Sequence, residues 1–290
     1  MHQLDYLNTC PRGAFVAALA DIFEHAPWVA ETAFEVRPFA SVAALHDAMR
    51  QAVRAAPQEN QRKFVAGHPE LGSKLGRAPV LTAESKAEQG SLGLDRLSDE
   101  EFDRFTSLNT AYRERFGLPF VICVRRHTRD SVLRNFERRL ANDPETEFGT
   151  ALDEIGLITR LRLIDVVDGP GKPKTDGRLS THVLDTMTGK PAAGIKLSLY
   201  DVGASARSLL KTAATNGDGR TDKPLLADGP LRIGTYELQF GIGGYFGTLA
   251  TSDPPYLDVV PIRFSIAEAE GHYHVPLLVT PWSYSTYRGS

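Results

Sequence analysis

This sequence lacks most of the features that would place it outside an ordinary reducing cell interior. Its 290 residues contain two cysteines, Cys10 and Cys123. One bridge at most could form, too few for the disulfide-stapled scaffolds of small secreted proteins. Neither cysteine has a partner at metal-ligand spacing. No apolar run approaches the ~18 residues needed to cross a bilayer. Residues 1–10 have neither the basic start nor the apolar stretch of a signal peptide, so a cytoplasmic location is expected. A dominant charge sign is also absent. Lys and Arg number 33 against 36 Asp and Glu, a net charge of −3, so no strong field draws the chain to nucleic acid or to an anionic membrane. The expected partners are small molecules.

What is present is enough apolar material for folded domains: 42% hydrophobic and 24% charged residues. At ~100–200 residues per domain, the length suggests two. The hydrophobic period supports that division. Through residues 1–166 apolar side chains recur at helical spacing, as in Leu45, Met49 and Val53 behind a candidate N-cap at Ser41. Ser98-Asp99-Glu100-Glu101 reads as a capping box opening a helix that stops near Gly117, and a further helix begins at Pro144. This part is expected to be all-α. Residues 167–177 concentrate Gly, Pro, Lys and Asp without periodicity and read as a linker. Residues 178–290 switch to period two, with Ile195, Leu197 and Leu199, then Tyr236, Leu238 and Phe240, then Val260, Ile262, Phe264 and Ile266 alternating with polar neighbours. Short strands with turns such as Asn216-Gly217-Asp218-Gly219 predict an antiparallel β-sandwich.

In the β half, strand alternation sends Tyr273, Val275, Leu277 and Val279 to one face and His272 and His274 to the other. The same rule turns His182 away from Leu179, Thr181 and Val183. Three of the eight histidines thus leave the apolar set. Paired imidazoles suit hydrolysis, because a near-neutral group can take a proton from water and return it to a leaving atom. Zinc binding is a rival reading, weakened by the absence of a carboxylate or thiolate beside them. Plain surface histidines are the third. Arg220 sits at a Gly-rich turn where its guanidinium can present two donors to an oxygen, or simply be solvated.

Four motifs then occur in order: Leu179-Ser180-Thr181-His182-Val183-Leu184-Asp185, Asp218-Gly219-Arg220, His272-Tyr273-His274-Val275-Pro276-Leu277-Leu278, and Tyr287-Arg288-Gly289-Ser290. Together they resemble the transthyretin-related hydroxyisourate hydrolases. The resemblance implies a transthyretin-like sandwich, a homotetramer formed through this domain, and metal-free hydrolysis of 5-hydroxyisourate. It puts His182, Arg220, His274 and Ser290 on catalytic positions and His272, Tyr287, Arg288 and Gly289 on substrate-binding ones.

The helical half carries fewer signals of its own. His68-Pro69 follows a helix ending near Gly67, and proline holds the preceding backbone extended, which fixes the imidazole's direction or merely stops the helix. Ser85, Glu88 and Gln89 share one helical face, as solvated residues also do. Arg162 near a helix end suits the helix dipole. With Phe64 to Gly72, Asn109, Tyr112, Phe116 to Val121 and Glu154 to Leu163, these pieces resemble the OHCU decarboxylases, cofactor-free helical enzymes. The resemblance implies that His68 and Glu88 are catalytic and that Pro69, Ser85, Gln89, Phe120 and Arg162 bind substrate. One departure is Gly90-Ser91-Leu92-Gly93-Leu94, where that family often carries Gly-Ala-Gly-Leu.

The two resemblances on one chain imply a fused enzyme of urate catabolism, similar to the allantoin synthases, that hydrolyses 5-hydroxyisourate and decarboxylates the product. No metal and no cofactor are expected, and the helical domain is expected to add dimer contacts. The alternatives are a transthyretin-like carrier fused to a helical interaction domain, or a fusion with one working half.

Overall fold

The computed structural model describes residues 1–72, 82–203, 207–247 and 252–289. The chain divides into two compact units, Met1–Arg125 with Val132–Lys174 and Arg126–Ser131 with Thr175–Ser290.

The first unit begins with strand β1 (His2–Gln3) and continues through α1 (Leu4–Thr9), α2 (Arg12–Leu19), α3 (Pro27–Phe34), α4 (Val42–Ala55), α5 (Gln58–Ala66), α6 (Ala83–Ser91) and α7 (Asp99–Phe116). Helix α8 (Arg129–Arg139), which belongs to this unit from Val132 on, and α9 (Pro144–Val166) follow, then strand β2 (Val167–Asp168). Local chemistry sets the helix ends. The Ser41 hydroxyl accepts from the Ala44 amide at 3.0 Å, satisfying an orphan donor of the first turn of α4. Ser98 and Glu101 form the reciprocal capping box of α7, which ends on Gly117 at φ 67°. Glycine suits that left-handed cap because it has no Cβ to clash. Leu45, Met49 and Val53 are buried with Leu4, Phe15, Val65 and Ile155 in one core. A second core gathers Phe105, Tyr112, Phe116, Phe120 and Phe136, and it takes in Leu92 and Leu94 from the departing Gly90–Leu94 segment.

Two details differ from the sequence expectation. The unit is helical but not purely so, because β1 pairs in parallel with β2. The expected linker therefore starts as ordered structure: Val167 is fully buried, and the Pro170 carbonyl accepts from the Val42 amide. The helix α9 also runs on to Val166, so Arg162 stands before the last turn rather than at the helix end.

The second unit contains β3 (Arg178–Asp185), β4 (Lys190–Pro191), β5 (Lys196–Val202), β6 (Arg207–Ala214), β7 (Gly234–Gly241), the short helix α10 (Gly243–Phe246), β8 (Val259–Ile266), β9 (His272–Val279) and β10 (Tyr284–Ser285). One sheet has the order β10-β9-β3-β4 and the other β6-β5-β7-β8. Leu179, Val183, Tyr273, Val275, Leu277 and Val279 from the first sheet share a core with Leu197, Leu199, Leu238, Phe240, Val260 and Ile262 from the second. Burying each such side chain contributes roughly 1.5–3 kcal/mol. The sheets are not wholly antiparallel as expected: β3 and β9 run parallel, with Ser180 opposite His274 and Arg178 opposite His272. Most of the unit's chain separates these two strands, so no hairpin forces them to be antiparallel.

Two candidate active sites

The first site grows from the β3–β9 ladder. Because side chains alternate, the apolar positions of both strands enter the core and Ser180, His182, His272 and His274 emerge together on the other face. There they line a cleft of about 410 Å³ with Arg178, Arg220 and Asp222. Tyr287 and Gly289 also line it.

The Arg220 turn is held by close packing. Gly219 has φ +69° and lies so near β3 that a Cβ there would meet the Val183 carbonyl at 2.4 Å. The Val183 amide donates to the Gly219 carbonyl, and His182 and Arg220 form a backbone bridge. Gly289 is docked against β9. The Gly289 amide donates to the His274 carbonyl at 3.0 Å, and a Cβ on Gly289 would meet His274 Cδ2 at 2.7 Å.

The imidazoles bond to one another. His182 Nδ1 lies 2.7 Å from His274 Nε2, with the rings stacked at 4.9 Å, and His274 Nδ1 lies 2.8 Å from Ser180 Oγ. Burial and then the nearby Arg220 charge lower the His182 pKa. Burial, followed by the charges of His182, Arg220 and His272, lowers that of His274 to about 4. Both rings are neutral at neutral pH and able to take a proton. Both nitrogens of His274 are spent on these bonds rather than turned to one point, and no metal-type cluster occurs among the described residues.

Of the residues named from sequence, His182, Arg220, His272, His274, Tyr287 and Gly289 meet in this cleft. Arg288 stands apart, its guanidinium lying over the Tyr273 ring at 5.2 Å. Ser290 lies outside the described residues.

The second site lies within the helical unit. A small cavity is lined by His68, Pro69, Ser85, Glu88, Gln89, Phe120 and Arg162, all named from the sequence, together with Glu24, which was not. Arg162 grips Glu88 through two bonds, Nε to Oε1 at 3.0 Å and Nη2 to Oε2 at 2.8 Å. Its Nη2 also donates to Ser85 Oγ at 3.2 Å. Ser85 Oγ in turn donates to Glu24 Oε2 at 2.7 Å. The Glu24 carboxyl is held below the usual carboxylate range: its own burial acts to raise it, but bonds from Thr82 and Ser85 and the Arg162 charge outweigh that. Its second oxygen, Oε1, is buried with no hydrogen-bond partner.

His68 Nδ1 lies 3.0 Å from the Phe64 carbonyl, which can only accept, so the proton sits on Nδ1 and Nε2 is left as a lone pair. Burial lowers the His68 pKa against the Phe64 bond and the Glu24 charge, keeping the ring neutral. Gln89 is spent on backbone, accepting from the Gly72 amide and donating to the Glu70 carbonyl, and so steadies the chain just after His68. Phe120 stacks on Phe136 with centroids 3.6 Å apart. Behind that wall Arg139 is buried, paired with Glu147 and donating to the Val121 carbonyl at 2.8 Å. The sequence contained one hint of Glu24, an acidic residue directly after the apolar pair Ile22-Phe23, but local pattern could not show what buries it.

Comparison with known proteins finds relatives for both halves of the chain. The OHCU decarboxylase family model matches residues 8–164, and the HIUase/Transthyretin family model matches residues 179–289. A 5-hydroxyisourate hydrolase of Deinococcus radiodurans is 58% identical over 113 residues, covering 39% of this chain and 95% of that protein. The chain belongs to both families.

Its OHCU decarboxylase half is 43% identical over 167 residues to the 2-oxo-4-hydroxy-4-carboxy-5-ureidoimidazoline decarboxylase of Haloferax volcanii, covering 57% of this chain and 97% of that protein. A crystal structure of an (S)-allantoin synthase matches the two halves together, covering 100% of both chains with 33% identity and a TM-score of 0.53.

Proposed function

We propose that this chain is a bifunctional enzyme of urate catabolism. Its HIUase half hydrolyses 5-hydroxyisourate to OHCU, the carboxylated ureidoimidazoline, and its OHCU decarboxylase half converts OHCU to (S)-allantoin. The observation that carries this reading is the presence of both families on one chain, matched end to end by an (S)-allantoin synthase. We assign the hydrolase to 178–290 as a transthyretin-like sandwich, the decarboxylase to 1–166 as an all-α domain, and the connection to 167–177. The assembly is a homotetramer through the hydrolase domain with added dimer contacts through the helical one, in the cytoplasm.

In the hydrolase, the neutral His182–His274 pair takes a proton from water, and the resulting hydroxide attacks the ring amide carbonyl. Arg220 stabilises the oxyanion of the tetrahedral intermediate. When the C–N bond breaks, the proton passes to the ring nitrogen, and the new carboxyl group ionises to solvent. His272, Tyr287 and Gly289 hold the substrate, Arg288 acts from outside the cleft by bracing this segment on the Tyr273 ring, and Ser290 completes the catalytic set.

In the decarboxylase, His68 Nε2 accepts the substrate's hydroxyl proton as the C–CO2 bond breaks. The electron pair of that bond stays on the ring as an enolate-like system, which is then protonated to give one enantiomer. Arg162 and Ser85 stabilise the developing charge, and Pro69, Gln89 and Phe120 shape the cavity; Glu88, expected from the sequence to be catalytic, has both carboxylate oxygens on Arg162 and acts by holding it in place.

The test is to supply urate freshly oxidised by urate oxidase and follow both steps. Fast loss of 5-hydroxyisourate absorbance with growth of the (S)-allantoin circular dichroism supports the reading. Loss of neither above the spontaneous rate supports a carrier instead.

A further inference from the structure

Four side chains on the open face of the β3–β9 ladder are joined end to end. His272 Nε2 lies 3.2 Å from Ser180 Oγ, Ser180 Oγ lies 2.8 Å from His274 Nδ1, and His274 Nε2 lies 2.7 Å from His182 Nδ1. The two ends of this chain differ in surroundings. His272 is exposed, whereas His274 is 9% exposed and His182 is half-buried beside Arg220. Arg178, Asp222 and Lys223 are the other charged groups lining this cleft. Neither the hydrolytic steps nor the substrate contacts above use Ser180.

A hydroxyl between two imidazole nitrogens must donate to one and accept from the other, so Ser180 fixes the direction of the whole chain. Suppose His182 takes a proton from water on Nε2. Its Nδ1 proton can move to His274 Nε2, the His274 Nδ1 proton to Ser180 Oγ, and the Ser180 proton to His272 Nε2. His182, Ser180 and His274 end neutral and His272 ends as the imidazolium, with no proton gained or lost. The reverse shift returns the proton to His182 for the leaving nitrogen. The gain is electrostatic: a cation held on His182 would face the Arg220 guanidinium in a partly buried cleft, whereas one on His272 is solvated.

From this geometry we infer that Ser180 is a proton-relay residue, through which the positive charge created when His182 deprotonates water is held on exposed His272 until the leaving nitrogen needs it. This rests on the hydrolase reading and adds a residue and a route to it.

The test is a mutant cycle in the full-length chain with Ser180→Ala, His272→Gln, the double variant and Ser180→Thr. Each of the first two should lower kcat for 5-hydroxyisourate hydrolysis by about tenfold or more, the order expected for loss of a proton-transfer route. The double variant should lose no more than either single one, because both cut the same chain. Ser180→Thr, which keeps the hydroxyl, should stay near the parent rate. Imidazole nitrogen NMR gives a readout independent of turnover: the His274 proton should sit on Nδ1 in the parent and in Ser180→Thr, and should be shared between both ring nitrogens in Ser180→Ala. Additive losses, a Thr variant as slow as Ala, or a His274 tautomer unchanged in Ser180→Ala would each overturn the relay. If the parent chain does not hydrolyse 5-hydroxyisourate at all, the hydrolase reading fails, while the His274 tautomer still decides whether Ser180 directs the chain of bonds.

Discussion

His182 and His274 stand on neighbouring parallel strands with Nδ1 of one 2.7 Å from Nε2 of the other, a contact that two protonated rings could not keep. The pair works as a base only while neutral. Because burial and the Arg220 charge lower the His182 pKa, and burial and neighbouring cations bring that of His274 down to about 4, the acid limb of hydrolysis should lie below the ordinary histidine value of ~6.5. A kcat/KM profile over pH 3.5–8 measures it, and complete loss of activity by pH 6 would contradict it.

The same shift bears on stability. A histidine whose folded pKa is depressed binds its proton more readily in the unfolded chain, so its contribution is full above ~6.5 and is lost as pH falls toward the folded value. His46 behaves like His274: burial, then the Arg50 charge, take it down to about 4 while its Nε2 contacts Thr159 Oγ1 at 3.0 Å. Urea unfolding should therefore show stability falling between pH 6.5 and 4. In His46→Gln, which cannot titrate, that fall should be shallower, and an unchanged slope would refute the assignment.

Each half should fail independently. His274→Asn should abolish hydrolysis and leave decarboxylation of supplied OHCU intact, and His68→Asn should do the reverse. Simultaneous loss of both activities in either folded variant would contradict two separate sites.

Glu24 lines the decarboxylase cavity with a charged carboxyl whose Oε1 has no hydrogen-bond partner and lies 4.0 Å from His25 Nε2, an acceptor suited to a substrate N–H or O–H donor. Charge-assisted hydrogen bonds are worth about 1.5–3 kcal/mol, so Glu24→Gln should slow decarboxylation by about 10- to 100-fold. Hydrolysis should not change. A decarboxylation rate equal to the parent's would remove Glu24 from the site.

Gly219 offers a test of how the Arg220 turn is held. Gly219→Ala combines a positive φ with a Cβ driven into the Val183 carbonyl, so the turn must move away from β3. Hydrolysis should drop at least about tenfold, the scale of misplacing one charge-stabilising group, with decarboxylation unaffected. Parent-level hydrolysis would show that Arg220 does not depend on this approach.

Legibility in the sequence followed the range of the interactions involved. Helix ends set within one turn, such as Ser41, the Ser98–Glu101 box and Gly117, could be read directly, as could the strand alternation that put His182, His272 and His274 off the core. The parallel pairing of β3 with β9 could not, since register between segments some 94 residues apart has no local signal. Ser180 depends on that register and looked like any strand serine. Glu24 was hidden for the same reason: its partners Ser85 and Arg162 lie 61 and 138 residues away. The cavity around His68 was found through its motif residues, but the bond from Nδ1 to the Phe64 carbonyl that leaves Nε2 free emerges only from the fold.

The most direct test of a two-step enzyme is a single reaction in which the full-length chain receives 5-hydroxyisourate and the ultraviolet and circular dichroism signals are followed together. The account predicts rapid decay of 5-hydroxyisourate, transient OHCU, and (S)-allantoin forming in large enantiomeric excess. Racemic allantoin appearing at the spontaneous rate after fast hydrolysis would contradict the decarboxylase half. Decay of 5-hydroxyisourate no faster than in buffer would contradict the hydrolase half.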